Sequence, residues 1–61
     1  MHEWPDYAIN VLINGHVETM HFGTLRDAWV AFDTLRTMPG VWLAEVYDRD
    51  DKLIAEYQKE R

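Results

Sequence analysis

The three histidines of this sequence, His2, His16 and His21, are its imidazole ligands for a metal ion, and Glu18 lies close to two of them. His16 and Glu18 lie two positions apart, so they would share one face of the β-strand that we predict here, whereas His21 would point to the opposite face. His2 lies outside that strand. Because a protein zinc site needs three or four convergent ligands, this arrangement predicts no metal site.

The acidic segment that contains Asp48, Asp50 and Asp51 resembles the start of a calcium-binding loop. An EF-hand loop that began at Asp48 would need glycine where Leu53 stands and glutamate where Lys59 stands. The sequence fails at both positions. We therefore interpret this segment as a solvated acidic turn.

Groups that could perform catalysis are scarce. The chain contains neither cysteine nor serine, and no threonine is spaced with a base and a third orienting group as nucleophilic catalysis requires. The three glycines are isolated at turns and caps, so no glycine-rich phosphate loop is present. We expect neither an enzyme nor a protein with a bound cofactor.

Size and charge restrict the classes of partner. The 61 residues include 11 acidic and 6 basic side chains, a formal charge of −5, which disfavours direct binding to nucleic acid because that binding depends on Lys and Arg. No apolar run approaches the roughly 20 residues of a membrane span, and no signal peptide is recognisable, so we expect a cytoplasmic protein. A domain this small buries only about 60% of its unfolded surface, and without cysteine a second subunit is the remaining general source of stability.

The first recognisable element is a hairpin over residues 7 to 22. The Asn-Gly pair at 14–15 lies between two β-branched and aromatic runs and predicts a two-residue type I′ turn, which pairs Ile13 with His16 and fixes the register. Leu12 and Val17 form a small apolar spot on one face. The face better suited to the core carries Tyr7, Ile9, Val11, Ile13, Met20 and Phe22.

A helix is predicted to follow. Thr24 with Asp27 three residues later approximates a capping box, and Met38-Pro39-Gly40 ends the helix. Arg36 projects toward the apolar stripe near the helix C-terminus, where its charge is favourable. Residues at offsets of three and four form that stripe and are predicted to lie in the core: Leu25, Ala28, Trp29, Phe32 and Leu35.

A second hairpin is predicted over residues 41 to 58, with a three-residue loop and a bulge at Asp51. This register pairs Tyr47 with Leu53, Val46 with Ile54, and Leu43 with Tyr57. Both faces of the hairpin are then apolar. One face carries Val41, Leu43, Tyr47, Leu53 and Tyr57, and the other carries Trp42, Ala44, Val46 and Ile54.

One helix cannot cover both faces of this hairpin, so whichever face misses the helix is predicted to bind a partner. The candidate interface is therefore either Trp42, Val46 and Ile54 or Leu43, Leu53 and Tyr57. Trp42 and Tyr57 are the best anchors because aromatic residues dominate protein interfaces. As an alternative, sheet twist and the N-terminal segment could cover that face through Trp4.

One stretch of the chain resembles known proteins. It runs from Thr24-Leu25-Arg26-Asp27-Ala28 through Met38-Pro39-Gly40-Val41 to Ala44-Glu45-Val46, and it is similar to small phage and prophage accessory proteins. In the small RNA polymerase inhibitor family of T7-like phages, a helix with a comparable Thr-Leu-acidic-Ala opening also leads into a strand. The resemblance implies a phage-type accessory protein and transfers no polymerase-contact residue.

We expect one α+β domain over residues 1–61, with a lead-in at 1–6 and a frayed tail at 59–61. The elements follow the order ββαββ and form a four-stranded antiparallel sheet with one helix on one face, while the strand order stays open. The leading hypothesis is a non-enzymatic interaction module that forms a homodimer through an uncovered sheet face or an edge strand. The main alternative is an acidic phage-type inhibitor of a host nucleic-acid-handling protein, acting through Glu45, Asp48, Asp50, Asp51 and Glu56. A third interpretation is a protein that binds a small ligand or a metal, either within a dimer or through His16 with Glu18.

Overall fold

The computed structural model describes residues 6–59, which form one antiparallel sheet and one helix. The predicted ββαββ order and the four-stranded sheet are confirmed. Trp4 and most of the predicted lead-in lie outside the described residues, as does most of the predicted tail. In chain order the elements are β1 (Tyr7–Ile13), β2 (His16–Phe22), α1 (Leu25–Thr37), β3 (Val41–Tyr47) and β4 (Leu53–Gln58).

The first hairpin has the register that its turn predicts. Asn14 and Gly15 both have positive φ, at 53° and 85°, as a type I′ turn requires. Ile13 pairs with His16, and β1 and β2 then pair residue for residue as far as Tyr7 and Phe22. A local turn signal was sufficient here because a two-residue loop allows one register.

The sheet has the strand order β2-β1-β3-β4, so β1 and β3 are central and β2 and β4 are edges. Both β2 and β3 are antiparallel to β1 and therefore run parallel to each other. The chain passes from β2 through α1 to β3, with β1 between the two strands, which is a split βαβ connection. The structure thus settles the order that the sequence left open.

Helix α1 is capped as predicted. The Asp27 N–H donates to Thr24 Oγ1 at 3.1 Å, which satisfies one of the unpaired N–H groups of the first turn. The helix packs on the two central strands. Its buried side chains and the strand residues beneath them form one core, which comprises Ala28, Phe32, Leu35, Ile9, Val11, Val41, Ala44 and Val46.

Trp29 was predicted to lie in this core, and that prediction is wrong. Its side chain is 40% exposed, and Leu25 is also exposed. The centre of the stripe is occupied by Ala28 and Phe32, and Ala28 is fully buried where the helix approaches the sheet. Trp29 lies on the flank, where its ring packs edge-to-face on Phe32 with 5.7 Å between centroids.

The second hairpin departs from its predicted register. Tyr47 pairs with Leu53 and Asp51 has a positive φ of 65°, both as predicted. Ile54, however, is an extra residue on β4, so Val46 pairs with Ala55 instead of Ile54. The predicted pairing of Leu43 with Tyr57 is wrong for the same reason.

A β-bulge of this kind places every later side chain on the face opposite to the one that unbroken alternation would give it. Beyond Ile54, Tyr57 therefore lies opposite Ala44 and packs against the core, and Leu43 lies opposite Gln58. A second irregularity leaves Trp42 as an extra residue on β3, because Leu12 pairs with Leu43 while the next residue, Ile13, pairs with Val41.

Substitution of Gly40 by alanine is expected to destabilise the fold. Gly40 has a φ of 92°, and an added Cβ would stand 2.5 Å from Asn14 Oδ1. The left-handed conformation alone costs about 1–2 kcal/mol for a residue with a Cβ, so urea denaturation should show a loss of at least that size. Gly23→Ala is the matched control, because its Cβ would meet open space. Equal stabilities of the two variants would contradict this account.

Candidate interaction surface

The face of the sheet that α1 does not cover is the candidate interaction surface, and we call it the open face. Side chains alternate between the two faces of a strand, and Ile9, Val11 and Val46 point toward the helix. The intervening residues of the four strands therefore form the open face. In chain order they are Ala8, Asn10, Leu12, Val17, Thr19, His21, Leu43, Glu45, Tyr47, Leu53, Glu56 and Gln58.

An apolar row crosses three strands of the open face. Leu12 on β1 lies between Val17 on β2 and Leu43 on β3. Val17 is 74% exposed, the largest exposed fraction among the exposed large apolar side chains of residues 6–59. The Leu12–Val17 spot seen in the sequence is thus extended by Leu43, which only the adjacency of β1 and β3 could reveal.

A polar row runs beside the apolar one. Thr19 Oγ1 donates to Asn10 Oδ1 at 2.8 Å. On the other half of the sheet, Glu45 and Glu56 lie directly opposite each other on β3 and β4. The Tyr47 hydroxyl donates to Glu45 Oε1 at 3.0 Å, which anchors that carboxylate. The acidic side chains of the open face are therefore confined to its β3–β4 half.

The other three predicted acidic residues lie in the loop between β3 and β4. Asp48 is occupied in forming this loop, because its Oδ1 accepts from the backbone N–H groups of Asp50 and Lys52 at 2.8 and 3.0 Å. Asp50 and Asp51 are exposed. The structure thus divides the predicted acidic patch into a carboxylate pair on the sheet and a solvated loop beyond it.

The sequence did not identify the ion pair between the loop and the beginning of β1. Arg49 donates to Asp6 Oδ1 at 2.7 Å across 43 residues of chain. Together with Tyr47, His21 and the loop, these residues border a shallow depression at one end of the open face. Only knowledge of the strand order would have brought Asp6 and Arg49 together.

The predicted interface residues are divided in a way that neither alternative set anticipated. Leu43 and Leu53 lie on the open face. Val46 has no exposed surface and belongs to the core, so it cannot line an interface. Tyr57 is partly buried against the core on the helix side. Each predicted set is therefore split, because the two irregularities shift the alternation of the strands.

Trp42 and Ile54 are the two extra residues of these irregularities, and both are exposed, Trp42 by 45%. The Lys59 ammonium lies 5.0 Å from the centroid of the Trp42 ring, a cation–π contact. The Lys59 N–H also donates to the Trp42 carbonyl at 2.9 Å. Trp42 is thus held in place at the end of the sheet with much of its ring accessible.

The structure also bears on metal binding and membrane insertion. Within residues 6–59, no three side chains of His, Cys, Asp or Glu are grouped as metal ligands. His16 and Glu18 are both exposed on β2 and lie on the helix side of the sheet, whereas His21 lies on the open face. In the same part of the chain, no helix has the length and apolarity to cross a bilayer.

Comparisons with protein-family models, curated proteins and solved structures found no match to this chain.

The Tyr47–Glu45 contact gives a prediction about pH. The hydrogen bond to Glu45 raises the pKa of the Tyr47 phenol above its ordinary value of 10.0, and partial burial and the charges of Glu45, Asp51 and Glu56 raise this pKa further. Glu45→Gln should therefore lower the pKa of Tyr47, measured by NMR titration of its ring carbons. Glu18→Gln, on the opposite face, is the matched control and should leave this pKa unchanged.

The same contact has a consequence for stability. The folded state holds the phenol proton more tightly than the unfolded state, so this contribution is complete below pH 10 and is lost as the pH rises through the folded-state pKa. Chemical denaturation of the wild type and of Glu45→Gln above pH 10 should show a smaller loss in the variant. An identical pH dependence would contradict the contact.

Proposed function

We propose that this protein is a non-enzymatic interaction module that self-associates through the part of its sheet that the helix leaves uncovered. The single observation that carries this proposal is the apolar row of Val17, Leu12 and Leu43 on the open face. An antiparallel sheet exposed on one side normally alternates apolar and polar residues with the polar ones in water. A continuous apolar row across three strands of the solvent side is typical of a contact surface.

Exposed aromatic and aliphatic residues next to this row support the same proposal. Trp42 is held at the end of the sheet with 45% of its side chain exposed, and tryptophan is among the residues most enriched at the energetic centres of interfaces. Leu53 and Ile54 of β4 are also exposed. A homodimer would add buried surface to a chain of 61 residues that has few other sources of stability.

A second candidate function is favoured by the carboxylates of the β3–β4 hairpin. Glu45 and Glu56 are adjacent on the open face, and the exposed Asp50 and Asp51 lie in the loop that joins the same two strands. This hairpin could bind a basic groove that normally holds nucleic acid. The resemblance to phage accessory proteins agrees with a cytoplasmic, phage-encoded inhibitor of this type.

Self-association is tested by a pair of valine substitutions. Val17 on the open face is 74% exposed and Val30 on the outer side of α1 is 61% exposed. In sedimentation velocity over a range of concentrations, the wild type should dimerise and Val17→Lys should raise the dimer dissociation constant about tenfold, which corresponds to the burial of one valine. Val30→Lys should leave it unchanged.

Two outcomes would contradict the proposal. A wild-type protein that stays monomeric at high micromolar concentration excludes functional self-association. Equal effects of Val17→Lys and Val30→Lys would show that added charge, and not loss of the open-face contact, weakens the dimer. Circular dichroism of each variant confirms that the fold is retained.

The inhibitor function is tested by salt. Attraction between exposed charges is screened over roughly 10 Å at 0.1 M salt and roughly 3 Å at 1 M, so a nucleic-acid-handling protein retained by the immobilised chain from bacterial lysate should be lost at the higher concentration. The double variant Asp50→Asn with Asp51→Asn should weaken retention at 0.1 M, whereas Glu18→Gln should not. Retention of no such protein by the wild type at 0.1 M would exclude this function.

A further inference from the structure

The outer edge of the sheet at β2 is regular over its whole length. Each residue from His16 to Phe22 pairs with one residue of β1, and this ladder has no shift in register. β2 is an edge strand, and it contains one carboxylate, Glu18. An edge of this kind presents a straight row of backbone groups with which another strand can pair.

The direction of those backbone groups follows from the pairing of β1. The Asn14 N–H donates to the Gly40 carbonyl at 3.0 Å, so the even-numbered residues of β1 direct their peptide groups toward β3 and the odd-numbered ones toward β2. Glu18 and Met20 of β2 pair with odd-numbered residues of β1, so their backbone N–H and C=O groups point toward β1. Val17 and Thr19 alternate with Glu18 and Met20 along β2, so the N–H and C=O groups of Val17 and Thr19 point away from the sheet.

The opposite edge, β4, is protected in ways that β2 is not. β4 contains the irregularity at Ile54, and Lys52 and Lys59 flank it in the sequence. Bulges and lysines are common devices that prevent edge strands from pairing with other chains. Of the two edges, β2 is the one suited to strand addition, and its β-branched Val17 and Thr19 are favourable residues for pairing.

We propose that β2 pairs antiparallel with β2 of a second copy, about a two-fold axis that passes beside Thr19. This inference rests on the proposed self-association and places its contact at the β2 edge, where Val17 of the apolar row meets the second copy, while Leu12 and Leu43 stay on the continuous open face. The Thr19 N–H and C=O exchange both hydrogen bonds with the same groups of the second copy. The two four-stranded sheets become one eight-stranded sheet, with both helices on one side and the two open faces continuous on the other.

The register follows from the length and charge of the strand. Thr19 is the midpoint of His16–Phe22, so an axis there overlaps all residues of both strands, whereas any other centre leaves residues unpaired. An axis at Glu18 would place two carboxylates directly opposite each other, which is unfavourable. The axis at Thr19 places Glu18 opposite Met20 of the second copy, and Val17 opposite His21 of the second copy.

Thr19→Pro tests the edge, because proline removes the outward N–H without removing a bond to β1. Proline is tolerated at such edge positions, so the variant should fold and its dimer dissociation constant should rise about tenfold or more, as measured by sedimentation velocity. Thr19→Ala is the matched control. It also loses the hydroxyl contact to Asn10 but keeps the N–H, and it should dimerise as the wild type does.

A cross-linking experiment tests the register independently of proline. The chain has no cysteine, so Thr19→Cys introduces a single thiol that faces its own copy across the axis, and a short thiol-to-thiol cross-linker should join the two chains. Val17→Cys should not be joined to itself, because the two thiols would lie roughly 13 Å apart along the strands.

The outcomes separate this inference from the proposed function. A wild-type monomer at high micromolar concentration overturns both. A wild-type dimer that persists in Thr19→Pro overturns the β2 contact and leaves self-association intact. Cross-linking of Val17→Cys, or its absence in Thr19→Cys, overturns the register. The proposal is supported when Thr19→Pro loses the dimer that Thr19→Ala keeps, and when Thr19→Cys is cross-linked and Val17→Cys is not.

Discussion

The packing of one short helix against two central strands is the contact on which the rest of the described structure depends. Ala28, Phe32 and Leu35 lie on β1 and β3, and fully buried strand residues such as Ile9 and Val46 complete the core. A helix of 13 residues covers one face of a four-stranded sheet and does not cover the other. The apolar row lies on the face of the sheet that this helix does not cover, and the edge at β2 lies at the margin of the sheet.

The two strand irregularities adapt the second hairpin to this arrangement. An extra residue on β3 at Trp42 and another on β4 at Ile54 each change which face the following residues occupy. Val41, Ala44 and Val46 can then all point into the core, and Tyr57 packs beside them. As a consequence, Trp42 and Ile54 are left exposed. The packing of the core therefore determines which apolar residues lie on the surface.

The acidic residues acquire different roles from their positions in the same hairpin. Asp48 stabilises its own loop through two backbone N–H groups, and Glu45 accepts a hydrogen bond from Tyr47. Asp50 and Asp51 remain in solvent. In the sequence these carboxylates formed one patch, but the structure separates those with a local structural role from those that are available to a partner. Their confinement to one half of the sheet leaves the β2 edge with little negative charge.

Local sequence signals determined the first hairpin, the cap of α1 at Thr24 and the order ββαββ, because each depends on residues close together in the chain. The stripe of α1 was predicted correctly at Ala28, Phe32 and Leu35 and wrongly at Leu25 and Trp29, since spacing gives the face of a helix but not the width that the sheet beneath it can cover. Val46 lies on the face of β3 that α1 covers, and Tyr57 lies on the helix side because the extra residue at Ile54 reverses the alternation of β4. Apolar residues on both faces of the hairpin gave no sign of where that extra residue lies. The ion pair between Asp6 and Arg49 and the row from Val17 to Leu43 depend on β1 lying beside β3. Only the tertiary structure decided these features, because the pairing of strands distant in the chain is set by the burial of the shared core and not by any local turn.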